Sequence, residues 1–335
     1  MSEVITLAHG AGGKATAKLI DEVFITAFGA ANPGELADAA VLATGARSAF
    51  TTDSYVVSPI RFPGGSIGDL AVNGTVNDLA VSGAIAQYLS AGFVIEEGLE
   101  MEELGAIVAD MAAAAAAAGV RIVTGDTKVV PKGAADQLFI NTAGLGTVPE
   151  GRELGATRAQ PGDAVILSGP IAAHGMAVML ARGNLALEAD IRTDSAPINH
   201  LVEALYQALD PGDVRWMRDP TRGGLATVAN ELAKGSGHAV LLEDEAIPVE
   251  TAVRGACDML GIDPLYVANE GRLVAVVADD AAQAAVSALQ AAGAPQPGVI
   301  GQIRPGPEGV VAIRNAFGGT RLVDMLVGDP LPRIC

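Results

Sequence analysis

Pro149, Gly151, Pro161 and Gly162 crowd into the stretch TVPEGRELGATRAQPGD, and this cluster constrains the fold more than any other feature. Glycine and proline at such density end regular structure, so the chain is expected to break here, near its middle. On each side, short β-branched apolar runs alternate with longer runs at helical spacing, which points to two α/β domains. The 335 residues, 50% of them hydrophobic, suffice for two cores at about 100–200 residues per domain. The expected divisions are a glycine-rich segment 1–32, a first domain 33–150, a second domain 151–320 and a tail 321–335.

Within the first domain, SAFTTDSYVVSP reads as a strand from about Ala49 and GSIGDLAVNGTVNDLAVSGA as a helix. The alanine-rich run 101–118 reads as a second helix ended by Gly119, and GVRIVTGDTK as a strand that delivers a polar loop. In the second domain, DAVILSGPIAAHGMAVMLAR reads strand, glycine loop, helix. DPTRGGLATVANELAK reads loop and helix, and EGRLVAVVA is expected to be a buried strand.

Charge narrows the partners. Against 21 Lys and Arg stand 39 Asp and Glu, a net charge of -18 with no basic cluster to relieve it. Nucleic acid and anionic membrane surfaces are therefore not expected partners, whereas a nucleotide can be bridged to carboxylates by metal ions. No apolar run reaches the ~18 residues of a membrane span, and MSEVITLAHG lacks the features of a signal peptide, so a cytoplasmic location is expected. Cys257 and Cys335 make no disulfide framework, and four scattered histidines do not suggest a Cys/His metal site.

Several polar residues invite a chemical reading. The loop HGAGGKAT exposes backbone N–H groups beside Lys14 but fails both the Walker and the dinucleotide patterns. Asp38, Asp53, Asp69, Asp78, Asp126 and Asp219 each stand where a polar loop meets an apolar segment. A single aspartate there is usually a helix cap or turn former; six of them on several elements also make the oxygen-rich set that Mg²⁺ requires. Asn73 and Asn77, one helical turn apart, either face a common ligand or solvent. Lys128 either offsets phosphoryl charge or is a solvated surface lysine. Glu270, just before an apolar strand, is a general base if buried and a strand-edge charge if not. His174 reads more simply as a turn residue and Cys257 as a small buried hydrophobe.

The segments HGAGGK, TTDSYVVSPIRFPGGSIGDLAVNGTVNDLAVSGA, VTGDTKVV, SGPIAAHGMAVM, MRDPTRGGLATVANELA, ANEGRL and the terminal PRIC span essentially the whole chain. Together they resemble the HypE family of hydrogenase maturation factors, part of the ATP-using superfamily of aminoimidazole ribonucleotide synthetase and selenophosphate synthetase. The resemblance implies a two-domain α/β fold in which the N-terminal sheets of two copies pair into a β-barrel, making a homodimer. It also implies that Cys335 receives a carbamoyl group from HypF, that ATP then drives its dehydration to a thiocyanate, and that the cyanide passes to iron on a HypC–HypD scaffold.

Transferred motif by motif, the resemblance assigns Asp38, Asp53, Asp78 and Asp219 to Mg²⁺ and ATP. Asn77, Asp126, Thr127 and Lys128 would line the phosphates, with Glu270 as base and Cys335 as the modified residue. The first acidic motif departs from the superfamily's GDDAA, reading LADAA, so Asp38 stands alone. From Gly328 to Cys335 an extended chain spans roughly 25 Å at ~3.3–3.6 Å per residue, and Pro330 and Pro332 stiffen it. Such an arm suits transfer of a thiol between two enzymes. Alternatives are another enzyme of the superfamily, a selenophosphate synthetase or small-metabolite kinase, or a thiol carrier without catalysis of its own.

Overall fold

The computed structural model describes residues 13–19, 40–44, 46–183 and 189–325. Cys335, the arm that carries it, Asp38 and most of the glycine-rich segment lie outside the described residues.

The first domain is a five-stranded sheet backed by two helices. Strands β1 (Ala40–Thr44), β2 (Ala46–Tyr55), β5 (Ile85–Glu96), β6 (Arg121–Val130) and β7 (Leu138–Thr147) order as β1-β2-β7-β5-β6. All neighbours are antiparallel except β5 and β6, which are parallel. The sheet is open, with β6 at one edge. A short ribbon of β3 (Arg61–Phe62) and β4 (Gly65–Ser66) leads into helix α2 (Ile67–Val81); α1 is the short N-terminal helix Lys14–Leu19.

Helix α2 starts where Ser66 closes a capping box: its hydroxyl accepts from the Gly68 N–H, and the Asp69 carboxylate accepts from the Ser66 N–H. Asp69 is thus a cap, the ordinary role for its kind. Nearly every residue of α2 is buried, polar ones included, because the helix lies between the first sheet, α3 (Met101–Ala118) and the second domain. Helix α3 ends at Gly119 in the left-handed conformation, at the expected stop.

The sheet's two faces differ. One packs on α2 and α3 through Ala49, Leu89, Leu138 and Ile140, whereas the other exposes Phe50, Tyr88, Val94 and Leu145.

A seven-stranded mixed sheet builds the second domain in the order β14-β13-β10-β12-β8-β11-β9. Its strands are β8 (Ala164–Leu167), β9 (Val214–Arg218), β10 (Ala239–Glu243), β11 (Val274–Val277), β12 (Gly298–Arg304), β13 (Val311–Arg314) and β14 (Thr320–Leu322). Helices α4 (Ala173–Ala181), α5 (Asn199–Ala208), α6 (Gly224–Ser236), α7 (Thr251–Leu260) and α8 (Ala282–Ala291) pack around it. Strands β8 and β11 are buried at every position, as expected for apolar runs covered on both faces. Cys257 is buried in α7.

Two expectations change in detail. The polar TGDTK segment is not a loop beyond a strand: β6 runs straight through it, because every residue from Tyr88 to Glu96 finds a parallel partner there, with a single register shift between Leu89 and Ser90. Order also extends past Arg321, since β14 pairs with β13 and Val323 is buried against the core. Among the described residues, no helix is long and apolar enough to cross a membrane.

Candidate active site: a carboxylate cavity between the domains

Four carboxylates from four chain segments meet in one cavity of about 30 Å³: Asp53 on β2, Asp78 near the end of α2, Asp219 after β9 and Glu270 before β11. The topology brings them together. Strands β9 and β11 are antiparallel neighbours with Arg218 opposite Val274, so the chain leaving one and entering the other share an end of the sheet. Asn269 fastens these segments by donating from its side chain (2.8 Å) and its backbone N–H (3.1 Å) to the Pro220 carbonyl.

From the first domain, Asp53 and Tyr55 lie two residues apart on β2 and so face the same side. Tyr55 is buried, and its hydroxyl lies so close to Gly74 that a Cβ there would sit 2.2 Å from it. That close approach of strand to helix is what admits Asp78 to the cavity, where it accepts from the Thr51 hydroxyl at 2.9 Å.

The electrostatics are those of crowded like charge. Burial raises the Glu270 carboxyl well above its ordinary value, and Asp219, Asp53 and Asp194 raise it further; Arg222 opposes them. Burial likewise raises Asp219, with Arg218 opposing. Tyr55 is held as the neutral phenol by burial and by Asp53, Asp78 and Glu270. Among the described residues that line the cavity Arg222 is the one cation, 3.5 Å from Asp53.

Glu270 is also braced from behind. Its backbone N–H donates to Asp194 (3.2 Å), which lies 3.5 Å from the buried Arg272, and its carbonyl accepts from Asn77 (3.0 Å). Asn77 further donates to the Ala196 carbonyl and accepts from the Ile198 N–H, so its amide is committed to holding the 194–198 loop. It is buried and does not line the cavity, unlike the phosphate contact expected of it. Asn73 points the same way and donates to Ser195, while His174 bonds Thr193 and meets Phe62 edge-on at the domain seam.

Asp126, Thr127 and Lys128 lie elsewhere. They sit mid-strand on the exposed edge β6, and Lys128 is 3.4 Å from Asp126 with about 70% of each side chain exposed. Within one chain they do not join the cavity. A larger open groove of about 770 Å³ runs along Glu96, Glu97, Glu100 and Glu103, but these carboxylates lie at the surface and none is buried as Glu270 is.

All donors in the cavity are oxygens, which suits a hard cation such as Mg²⁺. Among the described residues, no three His, Cys, Asp or Glu side chains are close enough to hold a metal by themselves. That matches Mg²⁺ sites, which commonly use one or two carboxylates and complete their shell with substrate phosphates and water.

Reasoning from sequence alone passed over Tyr55, Arg222 and Asp194. The first two had a signal: Tyr55 follows Asp53 at strand spacing, and Arg222 lies within DPTRGG. Asp194 had none, since its role depends on a loop folding back against Glu270.

Comparison with known proteins assigns the lineage. Residues 36–148 match the family of AIR synthase related protein, N-terminal domain, and residues 160–314 its C-terminal domain. The chain is 52% identical to carbamoyl dehydratase HypE of Rhodobacter capsulatus, over 99% of this chain and 98% of that protein. It superimposes on the crystal structure of a HypE–HypF complex with a TM-score of 0.87 at 44% identity, covering 92% of this chain and 99% of that one. A HypE structure in complex with ATP matches with a TM-score of 0.82 at 45% identity, over 99% and 100% of the two chains. This chain belongs to the HypE family of carbamoyl dehydratases, on the two-domain fold of the AIR synthase related proteins.

Proposed function

We propose that the chain is an ATP-dependent carbamoyl dehydratase of [NiFe]-hydrogenase maturation, converting an S-carbamoyl group on Cys335 to S-cyanocysteine. The observation that supports it most is Glu270, buried at the bottom of a carboxylate cavity in a chain half identical along its length to carbamoyl dehydratases. Dehydrating a carboxamide requires a base for two N–H protons and a way to make oxygen a leaving group. Phosphorylation by ATP meets the second need. Glu270, with its raised proton affinity, meets the first.

Asp53, Asp78 and Asp219, with Asp38 from outside the described residues, are the groups that would hold Mg²⁺, which when bound neutralises phosphate charge. Asp126, Thr127 and Lys128 would reach the phosphates only from a second copy whose edge strand covers the cavity. The apolar outer face of the first sheet supports such a homodimer, since burying Phe50, Tyr88, Val94 and Leu145 gains about 25 cal/mol per Å². The tail 321–335, whose first residues pair in β14, would carry the thiol on its remaining length to HypF for carbamoylation and back, and pass cyanide to a HypC–HypD iron scaffold, all in the cytoplasm. Segments 1–32, 33–150 and 151–320 would serve as covering segment, ATP-binding and dimerisation domain, and second α/β domain.

Intact mass of the protein after incubation with HypF, carbamoyl phosphate and ATP tests this reading. A carbamoyl adduct at Cys335 that loses one water only when ATP is present is expected. An unmodified Cys335 beside demonstrably active HypF, or an adduct that keeps its water, overturns it.

A further inference from the structure

Tyr55 has no role in the scheme above, yet its side chain lines the carboxylate cavity. It is 1% exposed, and its hydroxyl has no hydrogen-bond partner among the described residues. None of the carboxylates around the cavity accepts from it, and the Thr75 hydroxyl beside it is drawn instead to Thr142 at 2.5 Å. A buried hydroxyl left unpaired destabilises a fold, and phenylalanine would fill the same space without that cost.

Room for the oxygen is made at a second cost. Gly74 also lines the cavity, from the interior of α2, where glycine is less favourable than alanine. A Cβ there would lie 2.2 Å from the phenol oxygen but no nearer than 3.1 Å to a ring carbon, so the glycine accommodates the hydroxyl more than the ring. Together these residues hold an O–H at a cavity of about 30 Å³, room for one oxygen atom or water. The wall is otherwise rich in acceptors: Asp53, Asp78, Asp219 and Glu270. A phosphoryl group entering it brings negatively charged oxygens, which a fixed O–H donor suits. Burial, with Asp53, Asp78 and Glu270, keeps the phenol protonated, so it donates a hydrogen bond without losing its proton.

We propose that the Tyr55 hydroxyl is a catalytic hydrogen-bond donor, bonding a non-bridging oxygen of the γ-phosphoryl group as that group passes from ATP to the carbamoyl oxygen. This rests on the carbamoyl dehydratase reading. In that transfer the carbamoyl oxygen bonds to the γ-phosphorus as the bond to the ADP oxygen breaks, and one N–H proton leaves the nitrogen. Loss of the second N–H proton with cleavage of the C–O bond then releases phosphate and leaves S–C≡N. S-carbamoylcysteine and ATP thereby become S-cyanocysteine, ADP, phosphate and a proton, and the phenol keeps its own proton throughout. Charge on the phosphoryl oxygens in transfer is stabilised by a donor already in place.

Tyr55→Phe removes the oxygen alone. Calorimetry on the full, unmodified chain compares ADP with ADP and aluminium fluoride, a mimic of the phosphoryl in flight, both with Mg²⁺ in the buffer. Tyr55→Phe is expected to weaken ADP–fluoroaluminate binding about 10–100-fold, the range for a hydrogen bond to a charged oxygen, and ADP binding less than threefold. Its melting temperature should equal or exceed that of the wild type, since an unpaired hydroxyl has gone. Gly74→Ala is expected to lower the melting temperature, and adding Tyr55→Phe to it should restore part of that loss but none of the fluoroaluminate affinity. Equal losses for the two ligands, an unchanged fluoroaluminate affinity or a wild type that binds both alike overturns the assignment. So does a melting temperature that falls in Tyr55→Phe, which would mean that the hydroxyl is bonded within the fold. Because binding needs no carbamoylation, this outcome is independent of whether Cys335 is dehydrated; a wild-type adduct that keeps its water sinks the dehydratase reading instead.

Discussion

The carboxylate cavity and the edge strand β6 hold the same kinds of side chain in opposite settings. At the cavity, Asp219 and Glu270 are withdrawn from water and press on each other, so their protonation and partners are set by the fold. On β6, Asp126 and Lys128 are solvated, and water screens whatever charge they carry. The lesson concerns completeness. The cavity brings carboxyl groups and a guanidinium together within one chain, whereas β6 carries Asp126 and Lys128 with nothing across from them among the described residues.

Glu270→Gln should break the contrast most sharply. The proposed loss of water from carbamoylated Cys335 is expected to slow by about 10²–10⁴, the usual contribution of a positioned base, with carbamoylation intact. Time-resolved intact mass would follow both steps, and a slowing under tenfold would mean that burial does not mark the base.

Asn77→Ala comes next, and its effect should fall on the fold. Losing the bonds to Ala196, Ile198 and Glu270 is expected to cost about 2–4 kcal/mol in denaturant unfolding. Nucleotide affinity in the folded protein should change by less than threefold. A large loss of affinity with stability intact would instead make Asn77 a phosphate contact.

The smallest change in stability belongs to the edge strand. Lys128→Ala should alter the stability of the chain by no more than about 0.5 kcal/mol, as exposed substitutions do. Its neighbour Val129, 68% exposed, gives the sharper variant. Val129→Asp is expected to convert the proposed dimer to a monomer in sedimentation velocity, and an unchanged sedimentation coefficient would remove β6 from the proposed interface.

Much of this was legible beforehand for local reasons. The helix over the GDLAVNGTVNDLA stretch and the buried strand after Glu270 each follow from spacing or punctuation that acts over a few residues. Asp53, Asp78, Asp219 and Glu270 could be nominated because carboxylates at the ends of apolar segments are unusual in number. Their neighbours could not. Asp69 and Asp78 look alike in sequence, yet one caps α2 and the other enters the cavity, since nine residues along a helix turn them to different surroundings.

By itself, then, the sequence determined the elements, the division into two α/β units and the lineage, because periodicity, turn chemistry and motifs are written over short distances. Only tertiary structure decided that Asn77 is a brace, that Arg222 faces Asp53 and that Glu270 is buried among like charges. Those facts depend on which surfaces of α2, β2 and the 219–224 and 267–272 loops meet, and contacts between segments more than a hundred residues apart are fixed by packing of the whole chain, not by the residues on either side.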